Sequence, residues 1–187
     1  MSEHQQELDL RLWMDQSLIR RQNQLKNQFI QLLEAVGNSV SNQELNLFFE
    51  QSKGKKISKG NDLLGFPYQV LDLVRVFDYQ SGLNIRLLNW FGNGFFVLIF
   101  LGEKVGLNFE TLYKSGFSLG MVEDPWDFGA LIIENQVISS LENHSLNQKG
   151  FKIWIKKINL ESNPEVNRQL VQNEVKKILK MDLNLSD

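Results

Sequence analysis

Four residues of the central stretch, Tyr68, Asp72, Arg86 and Trp90, could together hold an anionic ligand. An arginine presents a planar fork of donors that matches a carboxylate or a phosphate. Tyr68 and Trp90 would rim the pocket around it. Arg86 stands among apolar neighbours in NIRLLNW, so on a covered strand face it needs a partner. Asp72 and the acids Glu123, Asp124 and Asp127 are the candidates. The plainer alternative is an internal ion pair, or an arginine that lays its stem on apolar surface and keeps its head in water.

Other chemistry-bearing residues are sparse. The chain has no cysteine, which removes disulfides, thiolate nucleophiles and thiolate metal ligands. His4 and His144 lie in polar contexts and not at metal-ligand spacing. Glu123, Asp124 and Asp127, around Pro125 and Trp126, offer oxygens of the kind that hard cations take, without the regular spacing of a calcium loop. Neither a metal nor a cofactor is expected. The lysines of QSKGKKISKGND come in the wrong order for a GxxxxGK[ST] phosphate loop. They predict a solvated, mobile loop, with an anion-binding lid as the sharper reading. Lys152, Trp154 and Lys156 alternate as a single-stranded nucleic-acid face does. Such a strand is also ordinary on a half-buried sheet, and the net charge is −2, so no nucleic-acid partner is expected.

The elements that must position these residues follow from periodicity. With 42% hydrophobic and 11% aromatic residues, 187 residues can bury a core, and one domain over 1–187 is expected. Residues 5–36 read as one long helix or two with a break, so that 1–36 is a helical N-terminal segment. Leu25, Phe29, Leu32 and Val36 form its stripe, which Leu8 and Leu12 extend. Such a stripe serves a core or a homo-oligomer seam. Gly37 and Asn38 end the helix. Ser41 and Glu44 form a capping box for a short helix with Leu45, Phe48 and Phe49 inward. Val70, Val74 and Phe77, with Leu71 and Leu73 on the shoulder and Pro67 in the first turn, predict a helix over 67–77. Leu83–Trp90 alternates, Phe91-Gly92-Asn93-Gly94 turns, and Phe95–Leu101 is apolar on both faces, which together predict a β-hairpin whose second strand is covered twice. Residues 107–113 and 131–141 are expected to be helical, 143–150 a polar loop, and 151–158 a strand. Asn163 and Pro164 open a last helix with Val166, Leu170 and Ile178 inward.

The segments KGNDLLGFPYQVLDLVRVF and NIRLLNWFGNGFFVLIFLG resemble a bacterial protein family to which no function is attached. The features in common are Lys59, Gly60, Gly65, Pro67, Tyr68, Leu71, Asp72, Arg86, Trp90, Phe91 and Gly92. The resemblance implies that 59–104 is one structural unit and implies no chemistry.

These readings give an α+β fold. Its small antiparallel sheet, the hairpin 83–101 plus the strand 151–158, is covered by helices, including the long N-terminal helix and the C-terminal one. The start of the chain is polar and acidic, unlike a signal peptide, and the longest apolar run is too short to span a bilayer. A soluble cytoplasmic protein without a membrane partner is expected. Its function is expected to be that of an interaction or structural module, with self-association through the N-terminal helix. The alternative is a small anionic-ligand binder or enzyme with its site at Arg86, Asp72 and Trp90.

Overall fold

The computed structural model describes residues 7–139 and 150–185. His4, His144 and nearly all of the expected loop 143–150 lie outside them. The chain opens with a single turn, α1 (Leu10–Trp13), and a long helix, α2 (Gln16–Asn38), each capped by an aspartate. Among the described residues the N-terminal stretch thus forms two helices with a break at Met14 and Asp15. A short helix, α3 (Asn42–Phe48), follows with the expected capping box: the Ser41 side chain accepts from the Glu44 amide, and the Glu44 carboxylate accepts from the Ser41 amide.

Four strands then run as a meander: β1 (Lys56–Leu63), β2 (Phe66–Arg75), β3 (Leu83–Trp90) and β4 (Gly94–Leu101). After β4 come β5 (Val105–Leu107), α4 (Phe109–Lys114) and β6 (Ser118–Gly120). A single π turn (Gly129–Ile133), β7 (Val137–Ile138), β8 (Lys152–Ile158), α5 (Pro164–Ile178) and β9 (Leu183–Leu185) complete the chain. Among the described residues the main sheet has seven strands in the order β1-β2-β3-β4-β8-β6-β7, all pairs antiparallel, and β5 pairs separately with β9. The fold is thus α+β with an antiparallel sheet, and the sheet is considerably larger than a hairpin plus one strand.

Both faces of the sheet are covered. On one, Leu71, Ile85, Leu87, Val97, Ile99 and Trp154 pack with Leu33 and Val36 of α2 and with Val171, Val175 and Ile178 of α5. On the other, Val70, Leu88, Trp90, Leu98, Phe100 and Ile153 pack under the 122–137 segment through Val122, Phe128 and Leu131. The expected hairpin forms in register, with Ile85 opposite Ile99 and Leu87 opposite Val97. Every residue of β4 after Gly94 is buried, as its two-sided apolarity requires.

Four sequence expectations are corrected. Residues 66–75 are a strand, not a helix. Both faces of β2 are buried, so its apolar residues carry no period of two. A β-bulge between Asp72 and Val74 adds to the confusion by turning Leu73 and Val74 to the same core. The lysine-rich stretch is no mobile loop from Lys56 onward but the edge strand β1, and lysines on an edge discourage strand addition. Lys55, just before it, donates to the carbonyls of Gly37 (2.7 Å) and Val40 (2.6 Å) and so finishes the end of α2. Within 131–139 the chain forms the end of the π turn and β7 in place of a helix; the rest of 131–141 is outside the described residues. The helical stripes also shift. In α5, Val166 and Leu170 face out, and Asn167, Val171, Glu174, Val175 and Ile178 face in. In α2 the stripe holds at its C-terminal end, where Val36 is buried with Leu33 and Gly37 and where Phe29 and Leu32 pack against the core, while Leu25, like Leu8 and Leu12 before it, is exposed.

Two outcomes follow from this packing. Ile99 is fully buried between strands and helices. Ile99→Val should cost about 0.5–1.5 kcal/mol in urea unfolding, whereas Ile99→Asp should abolish cooperative unfolding, because its charge has no partner there. The Ser41 backbone amide, and then its hydroxyl, hold the Glu44 carboxyl below its ordinary value of 4.5. The ionised carboxylate therefore stabilises the fold above that value, and the contribution is lost as pH falls through the lowered one. Glu44→Gln keeps the cap without the titration, so the wild type should lose stability relative to it over that acid range.

Candidate functional site

Asp72 and Arg86 are direct partners across β2 and β3. The Arg86 fork closes on the carboxylate with both arms, Nε to Oδ1 at 2.7 Å and Nη2 to Oδ2 at 3.2 Å. Such two-armed pairs are the strong form of the interaction. Asn84, two residues earlier on the same face, donates its Nδ2 to Asp72 Oδ1 (3.0 Å) and to the Val74 carbonyl (2.9 Å). That carbonyl belongs to the bulge, so one amide ties the irregular backbone to the buried acid. The Asp72 side chain is 5% exposed and that of Arg86 14%.

Aromatic rings cover the guanidinium. Its carbon lies 5.2 Å from the centre of the Trp126 ring, 5.8 Å from Phe100 and 6.0 Å from Phe77. Trp126 stacks on Phe100 at 4.7 Å. A cation over such faces gains about 0.5–2 kcal/mol for each favourable ring, the more so when water is excluded. The acidic cluster of the sequence explains how Trp126 arrives there. Asp124 accepts from the Trp126 amide and Asp127 from the Ala130 amide, both at 2.9 Å, so these carboxylates shape the turn that sets the indole over Arg86. No group of three or more His, Cys, Asp or Glu side chains among the described residues is placed to hold a metal ion.

The four candidate residues divide into two pairs. Tyr68 and Trp90 oppose each other four residues further along the same two strands, about 13 Å from the ion pair at 3.3 Å per residue. Trp90 is fully buried and donates its Nε1 to the Leu63 carbonyl (3.1 Å). The Tyr68 ring lies over Gly60, where any Cβ would collide with it. Tyr68 and Trp90 therefore lock the β1–β2–β3 corner and do not rim Arg86. The residues that do surround Arg86, namely Asn84, Phe77, Phe100 and Trp126, were not among the candidates. Asn84 shares the Arg86 face by alternation, which was a usable signal; the others come from separate parts of the chain with no local mark.

Among the remaining charged candidates, Lys156 is also engaged. Lys156 donates to Glu174 of α5 (2.6 Å) and to the Ser115 carbonyl (2.7 Å) on the helical side of the sheet. Trp154, between the two lysines of β8, is fully buried beneath Phe109 and Tyr113 of α4, with ring centres 5.1 and 5.0 Å away. It offers no open face to a base, and burial pushes the Tyr113 phenol up.

As a structural pair, Asp72 and Arg86 predict a specific pattern of losses. Arg86→Met alone should cost about 3–5 kcal/mol by stranding a buried carboxylate. Adding Asp72→Leu should recover most of that loss, because apolar replacement of a buried pair is often near neutral. Urea unfolding of the two single variants and the double variant measures the coupling directly. Comparison of the chain with models of protein families, with curated proteins and with solved structures returned no match.

Proposed function

We propose that the protein is an interaction or structural module whose contact surface is its N-terminal helical segment. The observation that carries this reading is where unsatisfied surface remains. Inside the sheet the buried charges and several of the amides are used on one another: Arg86 and Asn84 on Asp72, Lys156 on Glu174, and Asn89 on Gln69, which in turn donates to the Lys26 carbonyl of α2. Along residues 8–25, by contrast, Leu8, Leu10, Leu12, Trp13, Met14, Ile19 and Leu25 are exposed. Soluble chains rarely leave such a run of large apolar side chains in water unless something binds there. No helix among the described residues is long and apolar enough to cross a membrane, so a span does not account for them.

The alternative, an anionic-ligand site or active site around Arg86, Asp72 and Trp90, has less support. Arg86 already spends two donors on a carboxylate, and Trp90 is buried at a distance from it.

Two measurements separate these readings. Titration with phosphate, sulfate, acetate or citrate should give no saturable thermal shift; a site held at 100 times its Kd would add about 2.7 kcal/mol. A saturable shift that Arg86→Met abolishes would overturn the proposal in favour of the anion site. In dilute solution the combined Leu10→Ser, Leu12→Ser and Trp13→Ser variant should unfold within about 0.5 kcal/mol of wild type for each change, as exposed positions do. A loss of several kcal/mol would assign the segment to the chain's own core instead.

A further inference from the structure

We infer that the partner of this surface is a second copy of the chain, its α1 and the first half of α2 laid antiparallel to their counterparts across a two-fold axis. The inference rests on the interaction reading above and adds the identity and orientation of the partner.

The segment is an overhang. α1 has no buried residue, and those of α2 all lie between Leu33 and Gly37. The helix from Gln16 to Leu25 is thus held by continuity with its anchored end, while its apolar side chains face water. Short helices without tertiary contacts are marginal, so a helical overhang gains from being covered.

The charges say by what. Residues 7–15 carry Glu7, Asp9 and Asp15 against Arg11, a net of −2; residues 16–26 carry Arg20, Arg21 and Lys26 and no acid, a net of +3. The signs are separated along the segment, one half acidic and the other basic. An antiparallel pair sets each acidic half against the basic half of the other copy, twice in one interface. That is the self-complementarity a two-fold contact requires. A parallel pair would oppose like charges. An anionic bilayer would instead favour basic residues along the whole polar face. The apolar strip also runs onto the body of the protein. Leu25 lines, with Phe29, Leu32 and Ala35, a groove of about 520 Å³ between α2 and the start of α5. In that arrangement Leu8 of the second copy, 84% exposed, comes opposite Leu25 at the near end of the groove.

The test is charge reversal with rescue, read by sedimentation equilibrium on the full chain. The acidic variant is Arg20→Glu with Arg21→Glu. The basic variant is Glu7→Lys with Asp9→Ser and Asp15→Asn; the last two changes keep a side-chain acceptor where each aspartate caps a helix. Wild type should be dimeric. Each variant alone should associate at least about tenfold more weakly, and an equimolar mixture should restore a one-to-one dimer. Circular dichroism confirms that each variant folds. The fluorescence difference between wild type and Trp13→Phe, followed over concentration, gives a second readout without charge changes: the Trp13 emission should shift to the blue as the dimer forms.

A wild type that stays monomeric at about 100 μM, where a dimer of about micromolar Kd is almost fully formed, overturns the second copy as partner. So does a dimer that both variants retain, or uptake onto anionic vesicles in place of self-association. Those results leave the interaction reading standing, since it falls only to a saturable anion site or to a core role for the segment.

Discussion

A guanidinium inside a sheet covered on both faces must be neutralised where it stands, and much of the architecture around Arg86 follows from that requirement. The meander brings Asp72 directly opposite, so the pair forms across a single strand boundary. The bulge after Asp72 lets Leu73 and Val74 both enter the helical core while the acid stays on the other face. Asn84 then satisfies the bulge carbonyl and the acid together. A buried pair of this kind adds little net stability compared with an apolar substitute, but removing one member is costly. It thereby makes any other register of β2 against β3 expensive, because a slip by one residue would strand both charges among apolar side chains.

The opposite face repeats the logic with different residues. Lys156 enters the helical side of the sheet and meets Glu174 of α5, whose side chain is as buried as that of Asp72. Gln69 and Asn89 link the sheet to the backbone of α2 at Lys26, and Gln172 of α5 donates to the Ala35 carbonyl of α2. Each layer is thus pinned to the next by a few directional bonds set in apolar surroundings. Hydrophobic burial supplies most of the free energy, and these bonds choose which helix face and which strand register receive it.

The chain pairs its buried charged groups, Asp72 with Arg86 and Lys156 with Glu174, inside the fold. Its unspent surface lies at the N-terminus, where helices leave the body with apolar side chains uncovered and with charges sorted along their length. On the reading proposed above, such a surface would serve recognition between proteins, with apolar burial supplying affinity and charge order supplying orientation.

What the sequence determined by itself was local. The capping box at Ser41 and Glu44, the N-cap and proline that open α5, and the hairpin of β3 and β4 are each specified within a few neighbouring residues. Strand β2 was not legible, since a strand buried on both faces loses its alternation and a bulge interrupts what remains. The face of α5 was read one position out at Val166 and Leu170 because Asn167 and Glu174 are polar yet buried, held by Glu161 and Lys156 from other elements, whereas the α2 stripe was right from Phe29 to Val36 and failed only toward Leu25, where the helix has no core to meet. Of the candidate site, the sequence named Arg86 and Asp72 but assigned them Tyr68 and Trp90 as neighbours, from nearness along the chain. Trp126, 40 residues further on, reaches the guanidinium only because the 122–137 segment folds back over the sheet. Contacts of that separation are decided by which surfaces can be buried against each other, and that depends on the whole set of layers and not on any one stretch of sequence.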